Sequence, residues 1–165
     1  DKWGLRLTYS YEGQTPLETG GGMHRALELL GQAPFLAING DIWSDFDFAR
    51  LPREPEGDAH LVMVDNPAQH PQGDFVLRPD GRLRSDGDPR LTFSGIGVYR
   101  PRLLQDWPSV IGEAPGAEAQ PPRFKLAPLL CAAMADGRIS GQFHAGRWTD
   151  VGTPQRLAQL DLDLA

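Results

Sequence analysis

Two aspartates more than a hundred residues apart, Asp41 and Asp150, each sit at a strand end beside a glycine that lets the backbone turn sharply. Asp41 follows Phe35-Leu36-Ala37-Ile38-Asn39-Gly40, and Asp150 sits within Gly146-Arg147-Trp148-Thr149-Asp150-Val151-Gly152. Magnesium takes hard oxygen ligands, typically one or two carboxylates together with substrate phosphates and water. Two carboxylates meeting from separate strand ends would serve that need, and the rim beyond the carboxyl ends of the strands is where open α/β sheets bind ligands. The plainer reading of Asp41 is a cap on the short helical piece that follows it. A third feature is Gly20-Gly21-Gly22 at the start of a helical pattern. Glycines there cost conformational entropy for no packing return, which makes sense if a ligand must approach the backbone at a helix amino end. The alternative is a flexible connection.

The elements that must position these residues can be read from periodicity. Phe35 to Asn39 has no alternating polar residue and reads as a strand buried on both faces. Met23, Ala26, Leu27 and Leu30 recur at helical spacing, and Gly31 stops that helix. Leu5 to Tyr11 alternates as a strand, and His60 to Asp65 reads as another buried one. Residues 74–77 and 82–84 flank Pro79-Asp80-Gly81, which gives a hairpin by its turn chemistry. Leu91 to Tyr99 predicts a strand in which Gly95 and Gly97 mark a close approach by a ligand or another backbone.

Short helices are expected at Phe46 to Leu51 and at Pro101 to Trp107, with a mobile loop over 112–122. Leu126, Leu129, Leu130, Ala133 and Met134 form a helical stripe ended by Gly137, and Arg138 to Ala145 alternates as a strand. The last helix takes Thr153 as cap and Pro154 at its first position, with Leu157, Leu160 and Leu164 facing inward. Helices and strands that alternate before a hairpin-bearing segment predict an α/β domain: a mixed, mostly parallel sheet flanked by helices. With 165 residues, one domain spanning 1–165 is expected.

Composition narrows the function. A net charge of −6 with scattered basic residues argues against a nucleic-acid partner, since phosphate contacts need clustered Lys and Arg. One cysteine, Cys131, cannot form an intrachain disulfide; it lies on an apolar helix face as a core residue and suits a reducing cytoplasm. No apolar run reaches the length of a membrane span. His24, His60, His70 and His144 lack metal-ligand spacing and no nucleophile elbow occurs, which disfavours hydrolases. The chain opens without Met and enters a strand pattern by its fifth residue, so an upstream portion is expected.

Five motifs then stand in register: Leu17-Glu18-Thr19-Gly20-Gly21-Gly22, Asn39-Gly40-Asp41, Phe93-Ser94-Gly95-Ile96, Phe124-Lys125-Leu126-Ala127-Pro128-Leu129-Leu130 and Trp148-Thr149-Asp150-Val151-Gly152-Thr153. Together they resemble the sugar-1-phosphate nucleotidyltransferases, over nearly the whole chain. The resemblance implies a Rossmann-like sheet of the nucleotide-diphospho-sugar transferase type. It implies Mg2+ held by Asp41 and Asp150, and a nucleotide base lined by Glu18, Thr19, Gly20 and Gly21. Gly95 and Lys125 would face the sugar phosphate, with Lys125 joining the two aspartates in catalysis; on its own, a single Lys is surface. The substrates implied are a nucleoside triphosphate, UTP, and a sugar 1-phosphate, N-acetylmuramic acid 1-phosphate, in cell-wall recycling. The family also opens with a strand, a glycine-rich loop carrying a basic residue, and a Pro-Lys-Pro segment, none of which has a counterpart here. The expectation is therefore an N-terminally truncated chain, the last two-thirds or so of such an enzyme, inactive or nearly so by itself.

Three other readings stay open on the residues. A guanylyl- or cytidylyltransferase acting on mannose 1-phosphate would differ in substrate only. A metal-dependent glycosyltransferase would use an Asp-x-Asp, which Asp45-Phe46-Asp47 offers, although Asp45 falls where a cap on the short helix is expected. A non-catalytic domain could bind nucleotide sugars for regulation.

Overall fold

The computed structural model describes residues 4–165. Its order is α1 (Glu18–Leu30), β1 (Phe35–Ile38), β2 (Ile42–Ser44), β3 (Ala59–Val64), β4 (Val76–Leu77), β5 (Leu83–Arg84), β6 (Thr92–Tyr99), α2 (Pro101–Gln105), α3 (Trp107–Ile111), α4 (Ala127–Ala135), β7 (Ile139–Phe143), β8 (Trp148–Asp150) and α5 (Pro154–Leu164). The main sheet has the order β1-β6-β3-β7. β6 runs antiparallel to both β1 and β3, and β3 and β7 are parallel. β1, β3 and β7 therefore share one direction, the mixed α/β arrangement that the alternation of elements predicts.

Central position explains burial. β3 and β6 have neighbours on both edges, and Leu61, Val62, Met63, Ile96 and Tyr99 are at most 1% exposed. Leu103 and Leu104 of α2 and Leu129, Leu130, Ala133 and Met134 of α4 join Leu61, Met63, Leu83 and Ile139 in the principal core. Cys131 packs against that core, as its helix face suggests.

Three strand and helix expectations are corrected. Leu5 to Tyr11 is not a strand: Leu5, Leu7, Tyr9 and Tyr11 are all exposed, and no described strand lies alongside to accept its backbone hydrogen bonds. β1 is not buried on both faces: Phe35 and Ala37 pack against the core, whereas Leu36 and Ile38, on the other face, are exposed. In α5 only Leu160 is buried, while Leu157 and Leu164 are exposed. Residues 112–122 form turns, one of them closed by Arg123 N–H donating to Gly116 O at 2.9 Å.

At the amino end of β3, Asp58 is fully buried. Its Oδ1 accepts from Arg102 Nε–H and its Oδ2 abuts Nη1 of Arg138, an ion contact without hydrogen-bond geometry. Its backbone N–H donates to Arg138 O at 2.7 Å, and its carbonyl accepts from Arg100 N–H at 2.8 Å. This ionic knot ties β3, α2 and β7 together at one rim of the sheet, leaving the opposite rim for ligands.

His60, inside β3, hydrogen-bonds Ser140 Oγ at 2.9 Å and Gln142 Oε1 at 3.1 Å across the parallel pair. Burial holds its imidazole pKa below the usual value, against a smaller upward pull from the Gln142 hydrogen bond. A depressed folded pKa means that the unfolded chain binds more protons once pH falls below the ordinary His value of about 6.5. Stability should be fully present above that pH and decline below it. The melting temperature is expected to drop between pH 7.5 and 5.5, and to drop less in His60→Gln. An unchanged slope in the variant would remove His60 from the account.

Candidate active site

Asp41 and Asp150 meet at the rim where β1, β3 and β7 end. β2 and β8 form a separate antiparallel ribbon in which Ile42 pairs with Asp150 and Ser44 with Trp148. Val151 N–H donates to the Asp41 carbonyl at 2.7 Å. A Cβ on Gly152 would stand 3.2 Å from Asp41 Oδ2 and 3.7 Å from Asp150 Oδ1, so these oxygens lie at most about 6.9 Å apart, the sum of the two distances. A hard cation touching both carboxylates needs oxygens no more than about 4–5 Å apart, a separation that falls inside this bound. Asp150 lies in a strand, whereas its surrounding motif reads as a turn; pairing with β2 makes the difference.

The ribbon is pinned to the sheet at two points. Trp148 Nε1–H donates to Ser94 O in β6 at 2.9 Å. The buried His144, one residue past β7, pairs through Nε2 with Asp45 Oδ1 at 2.8 Å and meets the Phe46 ring edge-on. Backbone hydrogen bonding from Arg147, followed by the His144 hydrogen bond, holds the Asp45 carboxyl below its usual pKa range. Asp45 is thus not the helix cap. That place belongs to Asp47, which accepts from Ala49 N–H at 3.0 Å ahead of a 3-10 turn, Phe48–Arg50. With Asp45 paired to His144 and Asp47 capping, neither member of the Asp-x-Asp is left open toward Asp41.

A cavity of about 310 Å³ is lined by Glu18, Thr19, Asn39, Asp74, Gly95 and Lys125, among others. Glu18, Thr19, Gly95 and Lys125 share this wall, whereas neither Asp41 nor Asp150 lines it; Asn39 stands two residues before Asp41 in the chain. Gly20 and Gly21 lie outside this wall. Both are buried within α1, where Gly21 N–H donates to Phe124 O at 3.0 Å. A Cβ on Gly20 would come within 2.6 Å of the Phe124 ring, and one on Gly21 within 2.6 Å of Pro122 O. The close approach that these glycines permit is made by the chain's own 122–125 segment. That segment then delivers Lys125 to the cavity, with Phe124 in the core as expected. Glu18 opens α1 in the left-handed region, φ 63°, a conformation uncommon outside glycine that favours a functional reading of its position.

Gly95 combines two demands. Its φ is +81°, and a Cβ there would lie 2.7 Å from the Asn39 side chain. β6 bulges at this point: between Leu61↔Gly97 and Met63↔Phe93, β3 advances two residues while β6 advances four. Gly95→Ala should cost about 2 kcal/mol or more in unfolding free energy from left-handed strain and overpacking, and should push Asn39 into the cavity. Urea unfolding reads the first effect; a cost under about 0.5 kcal/mol, the range of ordinary surface changes, would contradict it.

Periodicity missed several residues. Asp74 accepts from Phe93 N–H at 2.8 Å and from His70 Nε2 at 3.0 Å while lining the cavity. Gln69 Nε2–H donates to Asp150 Oδ2 at 2.9 Å, and Arg156 contacts Asp150 Oδ1 from α5. Turn-rich 65–74 gave no signal for the first two. Arg156 does stand on the first turn after the Thr153 cap, where a side chain can return toward Asp150.

No protein-family model matches the chain. An N-acetylmuramate alpha-1-phosphate uridylyltransferase of Neisseria meningitidis is 43% identical over 166 residues, covering 95% of this chain and 66% of that protein. One of the same name from Caulobacter vibrioides is 31% identical over 97% of the chain and 66% of its own length. The chain thus spans just under two thirds of the length of the curated relatives it matches. The fold is that of HddC from Yersinia pseudotuberculosis complexed with GMP-PN, at TM-score 0.66 and 16% identity, covering 92% of this chain and 64% of that one. It is likewise that of the inositol-1-phosphate CTP transferase from T. maritima, at TM-score 0.62 and 14% identity over 90% and 61% of the two chains. Motifs, mixed sheet and relatives agree, and the chain belongs to the sugar-1-phosphate nucleotidyltransferases.

Proposed function

We propose that the protein to which this chain belongs transfers a uridylyl group from UTP to N-acetylmuramic acid 1-phosphate and releases pyrophosphate. The observation that carries the metal-assisted part of this reading is the convergence of the Asp41 and Asp150 carboxylates around Gly152. The name shared by the two curated relatives supports the choice of substrates.

A sugar 1-phosphate is mostly dianionic at neutral pH, because the second pKa of a phosphate monoester is about 6. Its oxygen needs no general base to attack the α-phosphorus in line and expel pyrophosphate. The chain's work is to bring two polyanions together and offset their charge. Bound Mg2+ would supply electrostatic stabilisation of the phosphoryl oxygens. Asp41 and Asp150 would hold it, and their hard oxygen donors and close spacing suit it. Lys125, on the cavity wall, offers a compact positive charge to the sugar phosphate. Glu18 and Thr19 would line the base side, and Gly95, which lets the Asn39 side chain pack against β6, would stand on the sugar side of the same wall. Residues 1–165 alone are expected to show little or no turnover.

The test uses protein expressed from the complete reading frame. It is given UTP, N-acetylmuramic acid 1-phosphate and Mg2+, and pyrophosphate release is followed, with GTP and mannose 1-phosphate in a parallel arm. Pyrophosphate from the first pair only is the expected result. Turnover of the second pair alone would replace the substrate assignment. Hydrolysis of a preformed nucleotide sugar without pyrophosphate chemistry would overturn the reaction class.

A further inference from the structure

We propose that Arg156 is a resident counter-cation of the Asp150 carboxylate, one that a divalent metal must displace to bind there. This rests on the reading of Asp41 and Asp150 as metal ligands.

Four observations carry it. Arg156 Nη2 makes an ion pair with Asp150 Oδ1, and Arg156 Nε–H donates to the Asp150 backbone carbonyl at 3.2 Å. The arginine is fixed at its own backbone too, since Thr153 Oγ1 accepts from Arg156 N–H at 3.3 Å. Gln69 Nε2–H takes the other carboxylate oxygen, so both oxygens of Asp150 are engaged. Nη2 also stands 3.2 Å from the position of a Cβ on Gly152, as Asp41 Oδ2 does, which puts the guanidinium on the same small patch as both acids.

Charge gives the arrangement two opposite effects. With no metal present, the guanidinium offsets the repulsion between two neighbouring carboxylates and keeps Asp150 aimed at the rim. When a dication arrives, the same guanidinium repels it and competes for Oδ1. Arginine stays protonated at any working pH, so the competition is permanent and cannot be titrated away. A site built in this way binds its metal weakly until substrate phosphates add their own charge.

The experiment measures Mn2+ binding to protein expressed from the complete reading frame by the electron paramagnetic resonance signal of free Mn2+, without nucleotide. Arg156→Gln should bind Mn2+ about tenfold tighter than the unaltered chain, the size of a one-against-two charge repulsion at about 6 Å in a water-like dielectric. Arg156→Lys, which keeps the charge, should stay close to the unaltered chain. Arg156→Met, which keeps the stem and drops the charge, should match Arg156→Gln and stands in if the glutamine variant fails to fold. A merely structural arginine predicts weaker binding on its removal, so the direction of change separates the two roles. Equal or weaker binding in a folded charge-free variant overturns the inference and leaves the metal site standing. No Mn2+ binding in any form, with Asp41→Asn indistinguishable from the unaltered chain, overturns the metal reading and this inference together.

Discussion

Asp41→Asn is expected to lower pyrophosphate release by about 10³-fold with the fold intact, a loss of about 4 kcal/mol of transition-state stabilisation. Asn preserves the volume of the side chain, and the bond that positions this residue, Val151 N–H to the Asp41 carbonyl, is a backbone one. Only the charge and one oxygen donor are lost. Asp41 is exposed, so its neutralisation removes repulsion from Asp150 without leaving a buried polar group. The melting temperature should therefore hold or rise slightly while activity collapses, and the Mg2+ concentration for half-maximal rate should increase. Asp150→Asn should be equally inactive but less stable, because Arg156 and Gln69 both lean on that carboxylate. Steady-state rates across a Mg2+ titration make the check. An Asp41→Asn enzyme within tenfold of normal at every Mg2+ concentration would remove Asp41 from the chemistry.

The second large effect lies at the opposite rim and concerns stability alone. Removing Arg102 and Arg138 together leaves the fully buried Asp58 carboxylate without a counter-charge, and is expected to cost about 3–5 kcal/mol. Asp58→Ala should cost less, about 2 kcal/mol, because the two arginines are 56% and 36% exposed and can return their charge to water. The order of the two costs is the point of the prediction: the group that is trapped, and not the group that is charged, sets the penalty. In a domain of this size each kcal/mol corresponds to about 2–4 °C, so the double arginine variant should melt some 6–20 °C lower. Thermal and urea unfolding of both variants read the difference. A larger cost for Asp58→Ala would sink the argument.

How much of this was legible in the sequence depended on whether the signal was local. β3, β6 and α4 were readable because their apolar residues are either contiguous or recur at helical spacing, which sets both type and burial. The β4–β5 hairpin was readable from Pro79-Asp80-Gly81. Leu5 to Tyr11 was not, because alternation reports only that a strand could half-bury its side chains, and a strand also needs a neighbour. β1 was misjudged because an unbroken apolar run reports no face: Phe35 and Ala37 pack on the core, whereas Leu36 and Ile38 point to the other face and are exposed. At the site, Asp41 and Asp150 stood out through their glycines, whereas their convergence depends on β2 pairing with β8, a contact between residues more than a hundred apart. Gly20 and Gly21 were correctly singled out as a close approach, but the partner is Phe124 and its neighbours, which no local pattern reveals. Gln69 and Arg156 carried no motif at all.

The ribbon formed by β2 and β8 has a consequence for how such a site can vary. Its register joins Ile42 to Asp150, and side chains alternate faces along a strand. Substitutions along the ribbon can therefore accumulate without moving the acids, whereas gaining or losing a single residue between Asp41 and Ser44, or between Trp148 and Asp150, would turn one acid to the far side. Over those few positions the spacing is under a stricter constraint than the residue types are.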